Sequence, residues 1–210
     1  MIRILVADDH TIVREGLKQI VGEVDDMTVA DEAGNGQEAL SKIREGDYDV
    51  VLLDISMPGQ SGLEVLKDIR AEKPKLPVLI LSMHSEEQYA VRALRAGASG
   101  YLTKASAPDE LIGAIRKVSR GRKYVTASLA EKLALELGAD TSKPPHEMLS
   151  DREYQVMLML AAGKSVTEIA DELCLSVKTI STYRSRVLEK MNMKKNAELT
   201  LYAVQNHLVG

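Results

Sequence analysis

Val50-Val51-Leu52-Leu53-Asp54 is an unbroken apolar run, two of its four apolar residues β-branched, that ends on an acid. Continuous rather than alternating hydrophobicity over so few residues marks a strand buried on both faces, as in a parallel sheet covered by helices. Further short β-branched runs occur at Ile2 to Ala7, Thr28 to Glu32, Val78 to Ser82 and Ser99 to Leu102. The segments between them carry apolar residues at three and four spacing, such as Leu63, Leu66, Ile69 and Val91, Leu94. Strand and helix therefore alternate from Ile2 to about Arg120, which predicts an α/β domain: a doubly wound, five-stranded parallel sheet with right-handed crossovers.

Such a sheet gathers its functional groups at the carboxyl ends of its strands. There the sequence places Asp8 and Asp9 after the first strand and Asp54 after the third, with Ser82 closing the fourth and Lys104 just beyond the fifth. If the first and third strands are neighbours, three carboxylates share one pocket. Ionised carboxylates so close repel one another unless a cation sits among them, and an all-oxygen set that leaves room for waters and a phosphate suits Mg²⁺. Lys104 adds an ammonium and Ser82 a hydroxyl. Together these groups are equipment for making and reading an acyl phosphate. Singly, each has a plainer reading: Asp9 as a helix cap near Thr11, Lys104 as a solvated surface lysine, Ser82 as a strand-end hydroxyl. Their joint occurrence at four strand ends carries the functional reading.

The 210 residues hold 27 Lys and Arg against 31 Asp and Glu, a formal charge of −4. The balance is uneven along the chain. Between Ser176 and Lys195 there are 6 basic residues and the single acid Glu189, the local basic stripe expected of a compact nucleic-acid-binding module on an acidic protein. No apolar stretch approaches the roughly 20 residues of a membrane span, and the N-terminus runs from Met1 into strand without a leader pattern, so a cytoplasmic protein is expected. The single cysteine, Cys174, has no disulfide partner and reads as a small buried hydrophobe.

Past Gly121 the pattern changes. Thr126 to Leu137 reads as a docking helix, with Leu129, Leu133 and Leu137 on one face, and Gly138 to His146, with Pro144-Pro145, reads as a linker. The expected organisation is a first domain over 1–121, a linker helix and flexible linker over 122–147, and a helical domain over 148–210. In the last, Ser150-Asp151-Arg152-Glu153 is a capping box opening a helix to Ala162, and a second helix runs from Val166 to Leu173. Cys174-Leu175-Ser176 makes a turn, Ser176 caps a third helix to about Met191, and Asn196 caps a fourth from Ala197 to His207. The third helix has Ile180, Val187, Leu188 and Met191 on one face and Lys178, Ser181, Thr182 and Ser185 on the other. Short polar side chains facing out, with lysine and arginine at the margins, suit a major groove. A polar basic helix is most often merely solvated, but a helix-turn-helix spacing just upstream argues against that here. On the fourth helix, Leu201, Val204 and Leu208 share one face and Leu199, Tyr202 and Ala203 another, so one can pack inward and the other across a dyad.

Leu5-Val6-Ala7-Asp8-Asp9-His10, Val51-Leu52-Leu53-Asp54-Ile55-Ser56-Met57-Pro58-Gly59, Leu81-Ser82 and Ala96-Gly97-Ala98-Ser99-Gly100-Tyr101-Leu102-Thr103-Lys104 resemble the receiver domain of NarL/FixJ-family response regulators. The resemblance implies a flavodoxin-like fold in which Asp54 accepts phosphate from a sensor histidine kinase. It also implies Mg²⁺ held by Asp9, Asp54 and the Ser56 carbonyl with Asp8 acting through water, Lys104 on the phosphoryl oxygens, and Ser82 and Tyr101 as a switching pair. Many receivers follow the lysine with a cis proline, where this chain has Ala105. The segments Leu149 to Glu153, Leu160 to Ser165, Glu168 to Ala170, Leu175 to Ile180 and Val187 to Met191 resemble a LuxR-type helix-turn-helix domain. That resemblance implies DNA contacts from Lys178, Thr179, Ser181, Thr182, Arg184, Ser185, Arg186 and Lys190, with Tyr183 where the family commonly has histidine.

The expected function is thus a phosphorylation-dependent transcription regulator: it dimerises when phosphorylated, binds promoter DNA, touches no membrane, and has RNA polymerase as a candidate partner. It would be a phosphoacceptor rather than an enzyme, with at most weak self-phosphorylation and autodephosphorylation. A phosphohydrolase of the haloacid dehalogenase type would need Asp-x-Asp after the first strand, which Asp8-Asp9-His10 lacks. A signalling adaptor without a DNA role would show no sequence-selective DNA binding.

Overall fold

The computed structural model describes residues 1–84, 86–127, 129–131, 133 and 144–209, and the chain divides into two compact units, Met1–Leu133 and Ala134–Gly210. Part of the expected docking helix at 126–137 and most of the linker at 138–146 lie outside the described residues.

The first unit runs β1 (Ile2–Ala7), α1 (Thr11–Gly22), β2 (Met27–Ala33), α2 (Gly36–Glu45), β3 (Val50–Asp54), α3 (Gly62–Glu72), β4 (Val78–Ser82), α4 (Glu86–Arg95), β5 (Gly100–Thr103), α5 (Pro108–Ser119). The strands form one sheet in the order β2-β1-β3-β4-β5, every pair parallel. Ile4 to Ala7, Val50 to Leu53 and Val78 to Leu81 are all buried, so consecutive residues are covered on both faces, as their unbroken hydrophobicity requires. One face packs Val6, Leu52 and Leu81 against Leu17 and Val21 of α1 and Leu111, Ile115 and Val118 of α5. The strand order reverses direction at β1, and the switch point falls between β1 and β3, where Ala7 pairs with Leu53. Ligand sites of open α/β sheets form at such a point.

Strand ends differ from the sequence expectation for local reasons. β2 is longer, and its register slips between Ile4 and Leu5 so that Ala30 is an extra residue on an edge strand. β5 starts at Gly100 because Ser99 is committed to β4: its Oγ accepts the Val78 N–H at 3.3 Å. Tyr124 lies along Gly100 and donates its N–H to the Ser99 carbonyl at 2.8 Å; residues 122–124, expected in the linker, therefore run beside the sheet.

Ser61 opens α3 with a complete capping box to Glu64. The next residue must be glycine. A Cβ on Gly62 would stand 2.0 Å from the Asp54 carbonyl oxygen, and the Gly62 N–H donates to the Ile55 carbonyl at 2.9 Å, so α3 starts directly beneath the end of β3.

In the second unit a short 3₁₀ turn (Pro145–Met148) precedes α6 (Asp151–Ala161), α7 (Val166–Glu172), α8 (Val177–Lys190) and α9 (Asn196–Gln205). Ser150 and Ser165 complete capping boxes with Glu153 and Glu168, and the Ser176 hydroxyl caps α8. α6 packs against both α8 and α9. Two expectations fail at helix ends. Asn196 does not cap α9, because its side-chain oxygen accepts the Arg184 Nε–H at 2.8 Å. Cys174 is exposed: it takes a left-handed conformation, φ 52°, at the end of α7, which turns its side chain to solvent while Leu173 is buried. Among the described residues, no helix is long and apolar enough to cross a membrane.

Replacing Gly62 by alanine should destabilise the first unit by about 2–4 kcal/mol, since the neighbour that must yield is backbone. Gly16→Ala, on an open stretch of α1 with nothing within 4 Å, should stabilise it by about 0.5–1 kcal/mol. Urea unfolding of both variants tests the contrast.

Candidate functional site

Asp8 leaves the end of β1 with its side chain buried, and Asp54 closes β3 equally buried, at 1% exposure each. Lys104, just past β5, reaches both: its Nζ stands 2.6 Å from Asp8 Oδ2 and 2.9 Å from Asp54 Oδ2, and its backbone N–H is fixed by the Ser82 carbonyl at 2.8 Å. The bond to Asp54 is a well-aligned hydrogen bond, whereas the contact with Asp8 Oδ2 is a charge pair without that alignment. No cis peptide occurs among the described residues, so Lys104-Ala105 is trans and the lysine reaches the site all the same.

One ammonium does not neutralise the pocket. Burial pushes the Asp54 carboxyl above its usual range; Lys104 pulls it down and Asp8 pushes it up again, and the net direction is upward. The Lys104 ammonium is opposed by burial but held above its ordinary value by Asp54 and Asp8. The lysine gains from two carboxylates, whereas burial costs Asp54 more than its share of one lysine returns. Asp54 Oδ1 is also buried without a hydrogen bond, and the buried Asp9 Oδ1 has only the His10 ring Nδ1 beside it, at 2.8 Å. Asp8, Asp9, His10 and Asp54 each offer one ligand atom within 4.8 Å of the others. A cation held by carboxylate oxygens answers both the orphaned atoms and the residual charge.

Around this pocket, the Arg14 guanidinium donates to the Asp8 carbonyl at 2.8 Å and so anchors the turn out of β1. Ser82 is fully buried, and its Oγ accepts the His84 N–H at 3.1 Å. Tyr101 is also fully buried, with its hydroxyl donating to the His84 carbonyl at 2.8 Å. The Ser56 Oγ lies 3.3 Å from His84 Nε2, and the His84 ring packs on Tyr89 with centroids 4.9 Å apart. Sequence reasoning missed His84. A lone histidine in a loop gives no pattern to read, yet His84 touches Ser56, Ser82 and Tyr101 together.

On α8, Ile180, Val187, Leu188 and Met191 are buried, and Lys178, Ser181, Thr182, Ser185 and Arg186 are exposed. Thr182 Oγ1 and Ser185 Oγ donate back to the Lys178 and Ser181 carbonyls at 2.9 and 3.0 Å, which leaves their lone pairs facing outward as acceptors. The other three expected contact residues have partners of their own. Thr179 is bound to the Ser176 cap at 2.8 Å, Arg184 to Asn196, and Lys190 to the buried Glu153 at 2.6 Å. On α9, Leu199 and Ala203 are buried, Leu201 and Val204 are 60% and 53% exposed, and Leu208 is buried. Leu208 was expected beside Leu201 and Val204. The left-handed turn at His207, φ 56°, brings it back, its N–H donating to the Ala203 carbonyl at 2.8 Å.

Residues 4–116 match the family model of the response regulator receiver domain, and residues 147–203 that of the luxR family of bacterial regulatory proteins. The chain is 40% identical to the response regulator GacA of Pseudomonas viridiflava over 210 residues, covering 100% of this chain and 98% of that protein. It is 38% identical to UvrY of Escherichia coli K12, over 99% of this chain and 96% of that one. The chain is a response regulator of the NarL/FixJ family. Among solved structures, RcsB of Salmonella typhimurium aligns with a TM-score of 0.70 at 25% identity, over 98% of each chain. RcsB bound to the promoter rprA in the presence of the phosphomimetic BeF₃⁻ aligns at 0.67 and 26%, over 96% of this chain and 97% of that one. The regulator thus joins a flavodoxin-like receiver to a LuxR-type helical domain.

Glu153 has its carboxyl held below the ordinary range: burial pushes it up, but the Lys190 ammonium and the Ser150 cap outweigh burial. A lowered carboxylate contributes stability above its unfolded pKa, near 4.3, and loses it as pH falls through the folded value. Lys190→Ala should therefore destabilise the C-terminal unit by roughly 0.5–1 kcal/mol at pH 7. The difference should be smaller at about pH 3, because the pair is lost as pH falls through the lowered folded value. Thermal melts of wild type and variant at the two pH values check this.

Proposed function

We propose that this regulator takes a phosphoryl group onto Asp54 from a sensor histidine kinase and, so modified, dimerises and binds promoter DNA through α8 to control transcription. The observation that carries the receiver half is Lys104 held between the two buried carboxylates. Asp54 attacks the phosphorus of a phosphohistidine; the new O–P bond forms as the N–P bond breaks, and its electron pair returns to the imidazole of the kinase. Asp9, Asp54 and the Ser56 carbonyl would hold Mg²⁺, with Asp8 acting through water, and Mg²⁺ would supply charge stabilisation to the phosphoryl oxygens. Lys104 holds the carboxylate in place beforehand and takes the phosphoryl oxygens afterwards. The chain acts as a phosphoacceptor rather than a turnover enzyme, with at most weak self-phosphorylation and autodephosphorylation.

The expected switching pair, Ser82 and Tyr101, meets at His84. The Tyr101 ring lies buried, and both residues bond to the backbone of His84. Phosphorylation adds about −1.5 to −2 charge and three acceptor oxygens beside Lys104. Any pull on Ser82 would therefore be felt at His84 and, through it, at Tyr101 and α4. For the DNA half, exposed Lys178 and Arg186 would take phosphates, while Ser181, Thr182 and Ser185 would face base edges as acceptors. That RcsB binds promoter DNA supports the same reading here.

Asp54→Asn should abolish Mg²⁺-dependent labelling by acetyl phosphate. It should not lower stability at pH 7: a carboxyl with a raised folded pKa favours folding at low pH and costs stability as pH rises past its unfolded value, and the amide removes that cost. Intact-mass spectrometry and a melt on the same sample read both; retained labelling would sink the assignment.

In fluorescence anisotropy with duplex DNA, Lys178→Ala should weaken binding and flatten the salt slope by roughly one unit, whereas Thr182→Ala should mainly relax sequence preference. Unchanged binding in both would show that α8 does not read DNA.

A further inference from the structure

The carboxylate pocket includes one ring that the proposed phosphorylation chemistry leaves unused. His10 follows Asp8-Asp9 directly, and its backbone is fixed by the start of α1. Its carbonyl accepts the Val13 and Arg14 N–H groups at 3.0 and 3.2 Å, and its own N–H donates to Asp8 Oδ1 at 2.9 Å. From that anchor the side chain, 62% exposed, leans over the mouth of the pocket, with Nδ1 2.8 Å from Asp9 Oδ1 and 3.3 Å from Asp8 Oδ1. Adjacent ligands of an octahedral ion with bonds of about 2.1 Å stand about 3 Å apart. The ring nitrogen therefore sits at the spacing of a ligand sharing an ion with these carboxylates. Asp54, 1% exposed and with its Oδ1 free of any hydrogen bond, completes the same group.

We infer that His10 is a nitrogen ligand of this site and gives it affinity for borderline divalent ions of the first transition row, which compete there with Mg²⁺. The inference rests on the reading of the pocket as the Mg²⁺ site. Oxygen donors suit hard ions such as Mg²⁺, whereas imidazole suits Ni²⁺, Cu²⁺ and Zn²⁺, whose affinities for nitrogen sites rise along the Irving–Williams order. An imidazole at the rim therefore adds little for Mg²⁺ and much for Ni²⁺. The exposure of His10 fits this role, since the ring can close over an ion that enters from solvent without disturbing the buried lysine.

Isothermal titration of the full chain with Mg²⁺ and, separately, with Ni²⁺ tests the inference in wild type, His10→Asn, Asp9→Asn and His207→Asn. The ratio of Ni²⁺ to Mg²⁺ affinity should fall at least tenfold in His10→Asn, while Asp9→Asn weakens both ions. An unchanged ratio in His10→Asn overturns the inference and leaves the Mg²⁺ reading standing. Mg²⁺ binding indifferent to Asp9→Asn overturns that reading and the inference with it. His207→Asn removes an exposed imidazole from the other unit; if it lowers Ni²⁺ affinity as much as His10→Asn, the Ni²⁺ is held elsewhere and the inference fails.

Discussion

Two carboxylates almost wholly removed from water share a single ammonium. Leaving either of them without it would strand a buried charge, an error of about 3–5 kcal/mol in comparable pairs, so the receiver is organised to bring Lys104 to Asp8 and Asp54. Strand order sets β1 beside β3 and so places the two acids side by side. Gly62 lets α3 begin against the Asp54 carbonyl, which holds the end of β3. The Ser82 carbonyl fixes Lys104 from the neighbouring strand. The arrangement remains one positive charge short, with two carboxylates against one ammonium. A pocket in that state attracts a cation, and a cation there in turn attracts a phosphoryl group.

The strands and the acids were legible in sequence for one reason. Residues covered on both sides must be apolar without interruption, so an acid at the end of such a run is conspicuous, and five short strands with helical spacing between them leave few topologies. The basic helix was legible because its apolar face repeats at helical spacing. What could not be read were the directions of side chains at helix ends, which tertiary contacts decide. Asn196 looked like a cap and serves Arg184 instead. Cys174 looked like core and faces solvent, because left-handed backbone turned it out. Leu208 looked like it shared a face with Leu201 and Val204 until the turn at His207 folded it back. His10 and His84 escaped because single histidines in loops carry no periodicity; only the fold shows that one leans over the carboxylates and the other joins Ser56, Ser82 and Tyr101.

Positive charge has two settings in the C-terminal unit. Lys190 and Arg184 hold the unit together, one neutralising a buried glutamate and the other tying α8 to α9. Lys178 and Arg186 stay in solvent, where charge acts on a polyanion at long range. Leu201 and Val204 are the large apolar residues exposed on α9.

In the proposed function, charge placed at Asp54 controls DNA binding by α8. The most direct measurement is the dissociation constant of the intact chain for a promoter DNA duplex at fixed salt, with Mg²⁺ alone and with Mg²⁺ plus beryllofluoride. Tightening on beryllofluoride, lost when Lys104 is replaced by alanine, is the predicted result; the same constant under both conditions would contradict the account.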